Sequence, residues 1–199
     1  MDVNNGMIQL SISNAALERA MSGLRSVQQR FPLAVARAAN RTMYGMGTDA
    51  ARETSKRYFV KFGDVKKSIE YRKATAGNLM GAMVSKGKRL SLANYQLTPK
   101  SPSAGKKSAL KGAVKRDGGL KSLGPAFLVK KAGGRYFPFY RVGASGGQKF
   151  KGIQSLISPS MPQIIKNEET VSVMEQKAEE RFRTRIEHEI DYILDRLLR

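Results

Sequence analysis

The sequence predicts an α+β fold: N-terminal helices, a small and mostly antiparallel sheet with a long basic loop, and a long C-terminal helix. Three observations carry this. Apolar residues from Val171 to Leu197 recur in steps of three and four, the period of a helix buried along one stripe. Two runs of aromatic and β-branched residues, Phe127-Leu128-Val129 and Tyr136 to Tyr140, flank Ala132-Gly133-Gly134, as in a hairpin. Small residues between Pro32 and Arg57 repeat at helical spacing, far from either feature. At 199 residues the chain has the length of a single α+β domain with room for a core.

In chain order, Met7 to Ile12 alternates like a short strand, and Asn14 N-caps a helix carrying Leu17, Met21, Leu24 and Val27 on one side. Phe31-Pro32 ends that helix, and Pro32 opens a longer one. Its expected stripe is Leu33, Ala36, Ala39, Met43, Met46 and Ala50, with Arg37, Arg41, Arg52, Lys56 and Arg57 on the polar face. Gly45 and Gly47 each cost about 1 kcal/mol against Ala inside a helix, so they imply a close crossing or a kink. Gly63-Asp64 reads as a stop and an N-cap, giving a third helix over Val65–Glu70. Tyr71–Thr75 and Gly81–Ser85 read as strands around Ala76-Gly77-Asn78, while residues 86–97 fit strand or turn.

Residues 98–123 are of different composition. Lys100, Lys106, Lys107, Lys111, Lys115, Arg116 and Lys121 are spread among Pro, Ser and Gly with few large apolar residues. Such a stretch cannot bury itself, and it is expected as a mobile basic loop that either orders on a partner or stays passive. Those seven cations are the candidate nucleic-acid or partner-binding residues.

In the hairpin, Phe127, Val129, Phe137 and Phe139 are expected in the core together with Leu156. Pro138 cannot donate to a ladder, which points to an edge strand or a bulge. Ser158-Pro159-Ser160-Met161-Pro162 should stop the following strand. Asn167, Glu168 and Glu169 then start the last helix, residues 167–198. Near its end Ile190, Ile193, Leu194, Leu197 and Leu198 make an apolar stripe wider than one small sheet needs. It suits a subunit interface or the chain's own core.

Chemistry is sparse. The chain has no cysteine and one histidine, which removes disulfides, thiolate ligands, cysteine nucleophiles and multi-histidine metal sites. Gly143-Ala144-Ser145-Gly146-Gly147 fits the nucleophile-elbow pattern with His188 downstream, but Gly146 to Gly152 is a poor helix start and no parallel sheet is indicated. Ala104-Gly105-Lys106-Lys107-Ser108 lacks the first glycine and the preceding strand of a phosphate loop. No enzyme, metal or other cofactor is expected. No stretch has the apolar length of a membrane span and the N-terminus has no signal-peptide pattern, so the host cytoplasm, or an assembly built there, is the expected location.

Charge is the dominant property. The net charge is +20, and residues 1–166 hold 30 basic against 7 acidic side chains, while residues 167–199 hold 6 against 9. A field of that size favours a polyanion, with nucleic acid the commonest, or else matches acidic protein neighbours.

The order of segments carries a resemblance: helices before a basic loop, a Gly-Gly hairpin, a glycine loop at Gly143–Gly147, a strand ending in a proline-bounded Met161, and a long terminal helix. In that order the chain, over about Asn14 to Leu198, resembles the minor tail protein Z (tail completion) family of tailed bacteriophages. The resemblance implies a structural virion protein at the head–tail joint, or neck, of a long-tailed phage. It implies a ring of copies, sixfold like the tail, in contact with the tail terminator and the head-side connector or head-closure protein. Genomic DNA would pass through or end in the lumen. Without the resemblance, the charge and the basic loop equally suit a sequence-nonspecific nucleic-acid-binding protein of ribosomal or nucleoid type, although no recognised motif for that is present.

Overall fold

The computed structural model describes residues 30–102, 109–143 and 152–197, and of residues 196 and 197 only the backbone. The expected strand at Met7–Ile12 and the helix from Asn14 lie outside the described residues.

Two long helices form the spine. Helix α1 spans Phe31–Arg57, with proline in its first turn as the sequence requires. Its Ala34, Val35, Ala38, Met43, Met46 and Ala50 are buried. Leu33 does not belong to that stripe: it lies 45% exposed, because the buried face is centred on Ala34, Val35 and Ala38. Helix α4, Glu168–Leu197, packs along α1 through Met174, Ala178, Phe182, Ile186 and Ile193, matching the expected stripe. Asn167 precedes α4, and its backbone carbonyl accepts from the Val171 N–H at 2.9 Å. Its side-chain oxygen is buried without a hydrogen bond and does not cap the helix.

The pair runs antiparallel. Arg57, at the end of α1, bonds Glu169 at the start of α4 (2.9 Å), whereas Ala34 packs on Ile193 at the opposite end. Between them runs a seam of ions. Arg181 reaches Asp49 at 2.8 Å, Lys177 and Arg57 reach Glu53 at 3.6 and 3.5 Å, and Arg37 and Arg41 approach Glu189 at 3.7 and 3.8 Å. All three carboxylates are buried. The basic face of α1 pairs with these carboxylates, some of it across the helix pair, while Arg37, Arg41, Arg52 and Lys56 keep more than half of their side-chain surface in solvent.

The glycines resolve as a close crossing. A Cβ at Gly45 would lie 2.7 Å from Cζ of Arg181, and one at Gly47 would lie 2.9 Å from Cζ of Tyr71. Further along, Asn40 bonds both the N–H and the C=O of Ala74 at 2.9 Å, fixing the loop that follows the first hairpin strand to α1.

The β structure is divided among four small antiparallel sheets in the described residues. Helix α2, Phe62–Lys67, starts earlier than expected, with Lys61 rather than Asp64 at the N-cap position. It ends before β1, Ile69–Arg72, because Ile69 pairs with Ser85 of β2, Ala82–Ser85, and that ladder takes the segment expected as helix. The ambiguous stretch becomes β3 (Arg89–Ser91), the 3₁₀ turn η1 (Leu92–Asn94) and β4 (Gln96–Thr98). Residues 98–123, expected as a loop, contribute β5 (Lys111–Ala113) and β6 (Lys121–Ser122), which extend β4 in the order β4-β5-β6.

The hairpin forms as expected from β7, Phe127–Lys130, and β8, Tyr136–Val142, with Gly133 and Gly134 at φ 93° and 79° in the turn. Strand β8 is not an edge, since β7 flanks it on one side and β9, Gly152–Ser155, on the other. Pro138 is tolerated there because β9 pairing begins only at Phe139. The carbonyl of Pro138 accepts from Leu156 N–H at 2.9 Å, so its missing donor faces the place where β9 ends. Nor does Ser158-Pro159-Ser160 stop the strand. It forms β10, Ile157–Ser160, which pairs with β3 through a register shift between Ser158 and Ser160. A short helix α3, Met161–Ile165, leads into α4.

The main core joins α1, α2, β1, β2, η1, α3 and the start of α4, around Met46, Val65, Met83, Ile164, Ile165 and Met174. The hairpin turns Leu128 towards it, and Leu156 packs beside it, partly buried. Phe127, Val129, Phe137 and Phe139 share the other face by register, and of these only Phe139 is buried. Cations cover that face instead: Lys131 lies 5.1 Å from the Phe137 ring centroid and 5.4 Å from that of Phe139, and Arg141 lies 5.6 Å from Phe127.

Candidate partner interface

The sheets and α2 enclose an open cleft of about 950 Å³. Its floor is apolar, with Val60, Leu90, Leu97 and Met161, and its rim carries Lys61, Lys67, Lys100 and Arg135 against a single acid, Asp64. Each rim residue is placed by local structure. Lys61 sits at the N-cap position of α2 and Lys67 ends that helix. Lys100 follows β4. The Gly133-Gly134 turn aims Arg135 across the cleft to Asn94 of η1, with a hydrogen bond of 3.4 Å to its Oδ1 and the guanidinium 5.6 Å over Phe137. Among the described residues Lys61, Lys67 and Lys100 make no ion pair, so the rim carries more positive charge than its one acid offsets. Tyr95 in the wall donates to the Pro159 carbonyl at 2.8 Å, and burial pushes its phenol pKa up.

The loop cations do not form one patch. Lys100 joins the cleft. Lys111 is opposite Ser122 on the β5–β6 ladder and Lys121 opposite Gly112, so the two lysines point to opposite faces of their sheet. Arg116 is held structurally: its N–H bonds the Arg57 carbonyl at 2.8 Å, Nε bonds the Ser55 carbonyl at 3.1 Å, and the guanidinium lies 4.7 Å over Phe59. Lys115 is exposed beside it, bridged through its backbone to Tyr58. Lys106 and Lys107 lie outside the described residues. Lys61, Lys67 and Arg135 were not singled out in the sequence, where a six-residue spacing and a position after a Gly-Gly turn give no sign of convergence.

Along α4, Ile190 is partly buried against Phe182 and Ile186, and Ile193 is buried, so both serve the chain's own core. Leu194 is 39% exposed. The side chain of Leu197, and Leu198, lie outside the described residues. Glu187, Asp191 and Asp195 are exposed at four-residue steps beside Leu194. Of the elbow residues, Ser145 lies outside the described residues, and His188 is exposed on α4.

What the described surface offers is charge and apolar area arranged for contact with other macromolecules, the equipment of an assembly component, here a structural protein of a phage tail. The family model for prophage minor tail protein Z (GPZ) matches residues 15–199, and the chain belongs to that family. Membership places the protein in the virion among other tail components. No helix among the described residues is long and apolar enough to cross a membrane. No curated protein and no solved structure matches the chain.

Proposed function

We propose that this tail protein completes the tail at the head–tail joint, forming a ring, sixfold like the tail, around or near the DNA end. The tail terminator lies on one side of it and the head-side connector on the other. The observation that carries this reading is the cleft rimmed by Lys61, Lys67, Lys100 and Arg135. A rim with more cations than acids suits a protein that meets acidic neighbours or a polyanion in its finished setting. Outside the cleft, Lys111 and Lys121 on the two faces of the β5–β6 ladder, with Lys115 beside it, are exposed and available to DNA. Since DNA must also leave during ejection, a wholly basic lumen would retard it, which favours dividing the charge between protein and DNA contacts.

Complementation tests the reading. Phage lacking this gene are supplied with a variant in which Lys111, Lys115 and Lys121 are changed to Gln, or with the unaltered chain. The expected result is that full heads and full-length tails form with the variant, while joined particles, or DNA ends retained at the joint, fall at least tenfold. Short or absent tails would move the function to tail assembly and overturn the joint reading, and normal infectious particles would show that these three lysines are passive.

A further inference from the structure

The cleft and the acidic end of α4 lie at opposite ends of the same helix pair. The cleft borders the chain just after α1, at Val60 and Lys61, where Arg57 meets Glu169. Asp191 stands 22 residues beyond Glu169 along α4, roughly 33 Å away at 1.5 Å per residue, at the end where Ala34 packs on Ile193. The ion seam between α1 and α4 holds the two ends apart, so one copy cannot fold its own acidic end into its own cleft.

From this geometry we infer that the cleft of one copy receives the Glu187–Asp191–Leu194–Asp195 face of α4 from a second copy. This rests on the ring reading and deepens it by naming the contact. Chemistry matches at each point. Among the described residues Lys61, Lys67 and Lys100 make no ion pair, and neither do Glu187 and Asp191. The apolar floor at Val60, Leu90 and Leu97 suits the exposed Leu194, a side chain for which a phosphate backbone has no equivalent. Because the two surfaces differ, the contact is head-to-tail. Such a contact closes into a ring or runs on as a filament, and does not stop at a dimer.

The experiment uses the full chain, whose lack of cysteine makes introduced thiols unique. A Lys67→Cys, Asp191→Cys double variant treated with a short bismaleimide is expected to give a ladder of dimers, trimers and higher species. Neither single variant should cross-link. No ladder at high protein concentration would overturn the inference, and so would dimers from either single variant. A charge swap supplies the second arm. Lys61→Glu with Lys67→Glu makes both surfaces negative, and Asp191→Lys with Asp195→Lys makes both positive. Each variant alone should lose the ladder when it also carries the cysteine-reactive pair Lys100→Cys and Glu187→Cys, and an equimolar mixture should restore it. All these positions are exposed, and far-ultraviolet circular dichroism checks that the variants fold. If Lys61→Glu with Lys67→Glu weakens binding to duplex DNA and leaves the ladder intact, the cleft is a nucleic-acid site and the inference fails. A missing ladder with normal head–tail joining removes this contact alone. An intact ladder with tails that never form removes the joint reading and spares the contact.

Discussion

At the scale of single residues, Gly45 shows why a helix this long tolerates a poor helix former. Its missing Cβ leaves the space through which Arg181 reaches Asp49, a carboxylate only 3% exposed. An alanine there gains about 1 kcal/mol of helix propensity but displaces the guanidinium from a buried acid, and breaking such a pair costs about 3–5 kcal/mol. Gly45→Ala is therefore expected to lower stability by about 2–4 kcal/mol, read as a lower denaturant midpoint with unchanged slope. A midpoint equal to or above that of the unaltered chain would mean that Arg181 is free to move aside. The sequence made the presence of a crossing legible, because two glycines interrupt an otherwise regular stripe. It could not name Arg181, which lies more than a hundred residues away and looks like any solvated arginine on a polar helix face.

Among the elements, the α1–α4 seam is the part of the fold most open to test. Glu53 is buried between the helices, and burial by itself raises its pKa. The hydrogen bond from Lys56 and the charges of Lys56, Lys177 and Arg57 outweigh this and hold it below the ordinary 4.5. A carboxylate depressed in the folded state adds stability that is present above its unfolded value and is lost as pH falls through its folded value. Unfolding followed against pH should therefore be flat near neutrality and weaken below about pH 4.5. Glu53→Gln should cost about 1–3 kcal/mol at pH 7, and the gap to the unaltered chain should close as pH drops towards 3. A gap of constant size down to that pH would show that shape, not charge, holds the seam. The long helices were legible because their period survives any tertiary context. The sheets were less so. Strands of two to four residues such as β5 and β6 are too short to show alternation, and Lys and Gly within them read as loop. Pro138 misled for a different reason: the edge rule concerns the side its nitrogen faces, and here that side is open only because β9 ends there.

For the whole molecule, the net charge of +20 says that anions are attracted but not where they sit. The fold separates two sets of cations, Lys61, Lys67 and Lys100 at the cleft and Lys111, Lys115 and Lys121 on the β5–β6 hairpin and its flank. If duplex DNA lies on one face of that hairpin, each phosphate contact releases counterions. Lys111 and Lys121 face opposite ways, so one duplex reaches at most two of the three lysines. Changing all three to Gln should then flatten the slope of log affinity against log salt by about 0.9 for each that meets a phosphate. A change in the overall field would act differently, since exposed charges are largely screened beyond about 8 Å at physiological salt. The control therefore removes the same charge elsewhere, by changing the exposed Arg72, Lys73 and Lys88 to Gln. That variant has the same net charge as the first and should keep the original slope, shifting affinity only slightly. Equal flattening in both would show that DNA responds to the field of the molecule and touches no particular lysine. Flattening confined to Lys61→Glu with Lys67→Glu would move the DNA to the cleft and take away the contact proposed there between copies. Loss of slope in the hairpin variant alone would leave the cleft to protein and the hairpin to DNA, the division of charge that the proposed ring around DNA favours.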